Sequence, residues 1–400
     1  MSSATRTVSA PDSLVSSGLS SKRYLAVDLL RGLTIAFMIL VNDNGSDRAF
    51  SALKHAEWNG FTPTDLVFPT FLFLVGASIV FSTESRLARG VTQASLFAHT
   101  VRRAIIIYLL GLVVNSAPFF RLSTMRYYGV LPRIALCYLV VASLYIWIRR
   151  PAASPAGEPT VWDKVGLLVA CLVGYWILMR FVPVPGFGLP GRDVPLLDHD
   201  GNLVAWLDRQ IFSAKHLYEG TRDPEGLIST IPAIGTTLIG VLTGLFLRSS
   251  RRSDSHKALG LAVAGVSGLI LGQLWNPWFP INKKLWTSSY VFYAAGWSLL
   301  ILAAFWFLVQ VRKYTRGTWP LLVFGTNAIA AYVLSEVMAD CLDKVHVGAH
   351  SNVLHWTAQH IAALMPSYPA LGSLAYSLFY VLVCWLIVLP LYRKKIFIKI

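Results

Sequence analysis

The sequence predicts an all-α polytopic integral membrane protein with about ten transmembrane helices and both termini in the cytoplasm. Three observations carry that reading. Hydrophobic residues fill 55% of the 400 positions and charged residues only 14%, and the mean hydropathy of +0.56 lies far above the balance a water-soluble domain keeps. Apolar runs of the length that crosses hydrocarbon as a helix recur at 24–41, 64–82, 101–119, 129–148, 165–182, 229–247, 259–275, 285–311, 321–338 and 371–391. Basic residues then alternate from one side of these runs to the other.

The net charge of +15 would suit a nucleic-acid partner in a soluble chain, but here it flanks apolar runs and follows the positive-inside bias. Lys22, Arg23, Arg86, Arg89, Arg102, Arg103, Arg149, Arg150 and Lys164 fall on one side, joined by Arg248, Arg251, Arg252, Lys257, Arg312, Lys313, Arg316, Arg393, Lys394, Lys395 and Lys399. The opposite side receives fewer, among them Arg48, Lys54, Arg121, Arg126, Lys283, Lys284 and Lys344. No nucleic-acid partner is expected, and the polar hairpin 42–62 faces outward.

Taken in order, the Ser-rich stretch 1–22 reads as a disordered cytoplasmic tail, and 23–400 as one transmembrane unit. The first run ends in Asn-Asp-Asn-Gly rather than in a small-residue cleavage site, so it reads as a retained helix. Asp28 and Arg31 stand three residues apart on its face and are expected to pair, since a lone charge in lipid is costly. Thr62 and Pro63 open the second run as cap and first helical residue, with Asp65 in the first turn, where the helix dipole favours a carboxylate. Arg133 enters the outer part of the fourth run.

A loop of about 46 residues, 183–228, is longer than ordinary connections, and such loops tend to be lids or binding elements. Its Gly186–Gly191 segment matches a dinucleotide fingerprint by letter only, because no strand precedes it and no helix follows directly. Asp198, Asp200 and Asn202 resemble the start of a calcium loop without its downstream glycine and glutamate, and read as a polar turn. Apolar residues at helical spacing over 202–212 predict a short interfacial helix. His346, His350, His355 and His360 lack an acidic or cysteine partner at ligand spacing, and Cys137, Cys171, Cys341 and Cys384 show no C-x-x-C spacing. Neither a metal site nor a disulfide framework is expected.

The motifs that carry chemistry begin with R-Y-L-A-V-D-L-L-R-G-L-T-I, then V-N, then K-H-A-E-W-N-G-F-T-P-T-D-L-V-F-P-T-F-L-F-L-V-G-A-S-I. Later strings are G-V-L-P-R-I-A-L-C-Y, D-P-E-G-L-I-S-T-I-P-A-I-G, P-I-N-K-K-L-W-T-S-S-Y and F-G-T-N-A-I-A-A-Y-V-L-S-E. Together they resemble the heparan-α-glucosaminide N-acetyltransferase-like membrane family, from about Arg23 to the last residue, as a bacterial-type member. The resemblance implies a transmembrane acyltransferase that moves an acetyl group from acetyl-CoA, as co-substrate, to an amino sugar or glycan at the extracytoplasmic side of a bacterial cytoplasmic membrane. It maps the family's active-site histidine onto His55 and the asparagine of its V-N motif onto Asn42. Pro132 and Lys284 depart from the family's usual L-Q-R-I and I-N-K-N strings. An additional luminal N-terminal region that some members carry has no counterpart here, so heparan sulfate itself is not the expected acceptor.

The residue types fit that chemistry. Acetyl transfer needs a base near neutral pKa, a donor for the developing oxyanion and exclusion of water. His55 has Asp65, Asn42, Asn44 and Asn59 near it in sequence; Asp65 would orient the imidazole and Asn42 would donate toward the thioester oxygen. Each also has a structural reading, His55 as an interfacial histidine and Asp65 as a helix-start carboxylate. Asn44, Asn59, Asn276, Lys283, Arg133 and Glu336 are the expected substrate contacts, with Arg133 as the partner of Glu336; Arg31 and Asn327 are the expected contacts of the CoA donor. Lipids surround the body and a homodimer is compatible with it. Two rival functions use the same residues: an O-acyltransferase of surface polysaccharide or lipid-linked sugar, and a small-molecule transporter or flippase.

Overall fold

A computed structural model describes residues 24–148, 161–348 and 351–398. The expected tail 1–22, together with Arg23, Arg149, Arg150, His350 and Lys399, lies outside the described residues. Among those described, the regular elements are helices apart from one pair of two-residue strands, β1 (His346–Val347) and β2 (Ser351–Asn352). Nine helices are long and apolar enough to cross a membrane: α1 (Leu25–Asn42), α2 (Val67–Leu87, entered through a 3-10 turn at Pro63–Leu66), α3 (Gln93–Ser116), α4 (Val130–Ile148), α5 (Val161–Phe181), α7 (Thr230–Arg248), α8 (Asp254–Trp275), α9 (Ser288–Trp306) and α13 (Pro369–Arg393).

The expected run at 321–338 is broken. Here α10 (Trp319–Thr326) and α11 (Ala328–Lys344) meet at an 81° bend, so the described residues hold nine continuous candidate spans, or ten when the bent pair is taken as one. The break falls at Asn327, whose backbone leaves helical geometry. Its side chain is fully engaged, donating from Nδ2 to the carbonyl of Ile396 (3.1 Å) and accepting from the amide of Ile398 (2.9 Å). Asn327 is thus a joint between the bent helix and the C-terminal segment.

Packing separates a centre from a rim. α2 and α7 are each 72% buried over their most apolar stretch, against 28% for α3, α5 and α8, whose outward apolar side chains suit lipid. Between α2 and α7 there is almost no side-chain layer: a methyl group added to Gly76 would sit 1.9 Å from the carbonyl oxygen of Thr237, and one on Gly240 would sit 2.0 Å from that of Phe73. Small residues let membrane helices approach in this way, because lipid gives them no hydrophobic drive to associate. Gly32 and Gly325 bring α1 against α10 by the same means.

Two groups of charges inside the body are paired, as hydrocarbon favours. Arg31 donates to Asp28 (2.7 Å) as expected, and also to Ser78 on α2 (2.9 Å). Buried Glu84 accepts from Arg248 (2.5 Å) and Tyr145 (2.9 Å).

The long loop closes over one end of the bundle. Its predicted short helix is α6 (Leu203–Ile211), capped by Asn202, whose side chain accepts from the amide of Ala205 at 2.9 Å. Leu203 and Val204 pack with Tyr175, Met179, Phe279 and Leu285. Asp198 makes the expected polar turn by accepting from the amides of Asp200 (3.0 Å) and Gly201 (2.7 Å). The segment 346–365 carries a second surface helix, α12 (Val353–Ala363), with Trp356 outward.

Candidate active site

The 42–62 hairpin is held by its own backbone and by two other loops. Asn44 donates to the carbonyls of Val41 (3.2 Å) and Leu53 (3.3 Å), and Gly60 donates its amide to Ile281 (2.8 Å). Trp58 donates from its indole to Leu197 (2.8 Å), stacks on His199 with ring centroids 3.8 Å apart, and carries Arg222 4.9 Å from its ring centroid. The long loop is thereby fastened to the hairpin three residues from His55.

Asp65 anchors the site. It is 1% exposed, and its Oδ2 accepts from the amides of Ala56 (3.2 Å) and Thr62 (2.9 Å) and from the Thr62 hydroxyl (3.1 Å). Oδ1 is left for His55, whose Nδ1 lies 2.7 Å away. An ionised Asp65 keeps the imidazole proton on Nδ1, so that Nε2 holds the free lone pair. The His55 side chain remains 44% exposed. This is the orientation expected of a base fixed by a buried carboxylate.

Lys283 completes the group from across the chain. Its Nζ stands 3.1 Å from Nε2 and 3.3 Å from Nδ1 of His55. Burial pushes its ammonium below the usual lysine range, and the Glu225 and Asp65 carboxylates pull the other way. The loop that carries it is shaped by Asn276, which accepts from the amide of Ile281 (2.8 Å), and by Asn282, which is buried and donates to Asn59 (3.1 Å). Behind Lys283, Arg126 grips Asp223 (2.7 and 2.6 Å) and Glu225. Burial alone would raise the Glu225 pKa, but Arg126, Arg133 and Lys283 outweigh it and hold the carboxyl below its ordinary range.

Several expected site residues stand elsewhere. Asn42 does not give its amide to the His55 group; it donates to Glu336 (2.8 Å), because the last turn of α1 faces α11 while the hairpin folds back toward the α8–α9 loop. Glu336 therefore pairs with Asn42 rather than with Arg133. Arg133, 1% exposed, donates to the carbonyl of Gly226 (3.0 Å) and to Ser229, and keeps two buried nitrogens, Nε and Nη1, without a partner. Asn44 and Asn276 build loops. Asp43, beside Glu336 and Asp340, is pushed up to about 8, first by burial and then by those two carboxylates.

A cavity of about 320 Å³ opens toward the other end of α2. Its polar wall is Arg31, Arg86, His99 and Arg103, and apolar Phe71, Leu74 and Val75 line it toward the hairpin end. Arg103 holds a buried Nε without a partner. Arg31 was expected here; Arg86 and Arg103 were read only as flanking charges, and His99 carried no signal in the sequence. Asn327 meets the cavity through its neighbours Thr326 and Ala328, with its own amide spent on the C-terminal segment. Along α2 and the turn that enters it, Asp65 and Ser78 are separated by roughly 20 Å, and Asp65 and Arg86 by roughly 30 Å, at about 1.5 Å rise per residue.

Residues 23–156 match the sequence family of the heparan-alpha-glucosaminide N-acetyltransferase catalytic region. Curated relatives extend the similarity: heparan-alpha-glucosaminide N-acetyltransferase of Mus musculus is 30% identical over 360 residues, 80% of this chain and 54% of its own length. The Homo sapiens protein of the same name is 29% identical over 420 residues, 94% of this chain and 60% of its own length. The chain thus spans a little over half of each relative. Its motifs, its catalytic-region match and its long alignments make this membrane protein a relative of the heparan-alpha-glucosaminide N-acetyltransferases.

Proposed function

We propose that the protein is a transmembrane acetyltransferase that takes acetyl-CoA at the basic cavity and transfers its acetyl group to an amino sugar at the hairpin end, with His55 acting at the chemical step. The observation that carries this reading is the arrangement along α2, with the Asp65–His55–Lys283 group at one end and the arginine-lined cavity at the other. Arg31, Arg86 and Arg103 suit the phosphates of a CoA donor, since guanidinium groups recognise phosphate oxygens through paired N–H donors. The free Nε of Arg103 fits such a group, and the apolar wall at Phe71, Leu74 and Val75 fits an uncharged arm reaching toward the hairpin. The names of the relatives support an amino group on a glucosaminide as the acceptor.

At the hairpin end, His55 Nε2 is the base toward the acceptor nitrogen, and Asp65 keeps the ring in the tautomer that leaves Nε2 free. General-base catalysis contributes about 10²–10⁴-fold. In purified protein given labelled acetyl-CoA and glucosamine, His55→Ala is expected to lose that factor in kcat with little change in acetyl-CoA affinity. Asp65→Asn should fall between wild type and His55→Ala, and Arg103→Gln should weaken acetyl-CoA binding while sparing the acceptor KM. Full turnover by a folded His55→Ala protein overturns the reading. Product analysis that finds the label on oxygen rather than nitrogen would convert it to O-acetylation.

A further inference from the structure

Lys283 places its ammonium within 3.3 Å of both ring nitrogens of His55. It comes from a sequence position 228 residues away, on a loop whose shape is fixed by buried Asn282 and by Asn276. Nearly equal reach to both nitrogens puts the ammonium over the ring face rather than on the Nε2 lone-pair axis, so it lies beside the nitrogen that must do the chemistry and leaves that lone pair open. An ammonium 3.1 Å from that nitrogen is also within reach of the oxygen of a carbonyl group whose carbon is presented to the same place. Donors preset 2.7–3.1 Å from a developing oxyanion are among the strongest contributors to acyl transfer.

We propose that Lys283 is a catalytic residue, an electrophile that rests on His55 and turns to the thioester carbonyl oxygen when the donor is in place. This rests on the acetyltransferase reading above. Attack by the acceptor nitrogen forms the C–N bond and moves the carbonyl π pair onto oxygen, where the Lys283 ammonium faces it. His55 Nε2 takes the proton from that nitrogen. Collapse restores C=O and breaks the C–S bond; the thiolate leaves with the electron pair and receives the proton from His55. Lys283 neither gains nor loses a proton. The charged groups around it are His55, Asp65, Glu225, Lys284 and Arg133. Burial lowers its pKa, so the charged form required here is lost at less alkaline pH than for a free lysine.

The test compares wild type, Lys283→Met, Lys283→Arg and His55→Ala in acetyl transfer from acetyl-CoA to glucosamine across pH. Lys283→Met is expected to lose about 10²–10³-fold in kcat, with KM for acetyl-CoA little changed. Wild-type kcat should fall on the alkaline side, and in Lys283→Arg that fall should vanish, because a guanidinium stays charged. Near-wild-type kcat in Lys283→Met, alongside an inactive His55→Ala, overturns the role of Lys283 and leaves the acetyltransferase reading standing. An active His55→Ala overturns that reading first. If Lys283→Met does not fold, Lys283→Arg decides alone: an alkaline limb unchanged from wild type overturns the proposal.

Discussion

Asp43 illustrates how much one residue's setting matters at the hairpin end. It follows α1 directly, packs near Glu336 and Asp340, and has its carboxyl pushed up to about 8, chiefly by burial. A raised folded-state pKa means that the native state holds this proton more tightly than the unfolded chain. The stability it contributes is complete below the ordinary carboxylate range and is lost as pH rises through about 8. Asp43→Asn, which mimics the protonated form, should therefore melt like wild type near pH 4 and at a higher temperature than wild type near pH 9. Thermal scans in detergent at the two pH values check this; equal melting at both would show that the carboxyl ionises freely.

His55 and Asp65 were legible because the hairpin brings them together within ten residues, and a local motif preserves that spacing. The partners that give the pair its setting were not. Glu225 stood only as one letter of a motif string and Arg126 only as a charge flanking an apolar run, and Trp58 showed nothing of the contacts that tie it to Leu197, His199 and Arg222. Asn42 was misdirected for a related reason. Adjacency in sequence to the hairpin says nothing about the face on which α1 ends.

Among the elements, the α2–α7 contact is the most demanding. With backbone carbonyls at about 2 Å from where a methyl would stand, neither neighbour has a flexible side chain that could move aside. Gly76→Ala should cost about 1–3 kcal/mol, the usual range for overpacking, and should part α2 from α7 where α2 carries the site. Gly174 on α5 has nothing within 4 Å and faces outward, so Gly174→Ala is the control and should be near neutral. Thermal stability of the two variants in the same detergent makes the comparison. The runs of apolar residues predicted these helices well, since length and hydropathy are all that a span requires. The bend at Asn327 escaped because its cause lies at Ile396 and Ile398, about seventy residues along the chain.

For the whole molecule, the alternation of basic residues sets the expected orientation, with the hairpin end outside and the α7–α8 turn inside. A cysteine placed at Ser51 in a background without exposed thiols should react with an impermeant maleimide on intact cells. One at Ser253 should react only after permeabilisation, and the reverse pattern would invert the molecule. Spacing along α2 then separates the two mouths by most of a bilayer's thickness.

The apolar wall of Phe71, Leu74 and Val75 between those mouths has an electrical consequence. Under the proposed chemistry, what passes that wall toward the acceptor is an uncharged two-carbon acyl group, and what withdraws is an uncharged thiol that has already taken its proton. The phosphates never leave the arginines. Moving one elementary charge across a membrane is worth about 2.3 kcal/mol per 100 mV, whereas this exchange moves none. Turnover in sealed vesicles should accordingly stay level when a potassium diffusion potential of either sign is imposed, and a rate that follows the voltage would mean that a charge makes the journey.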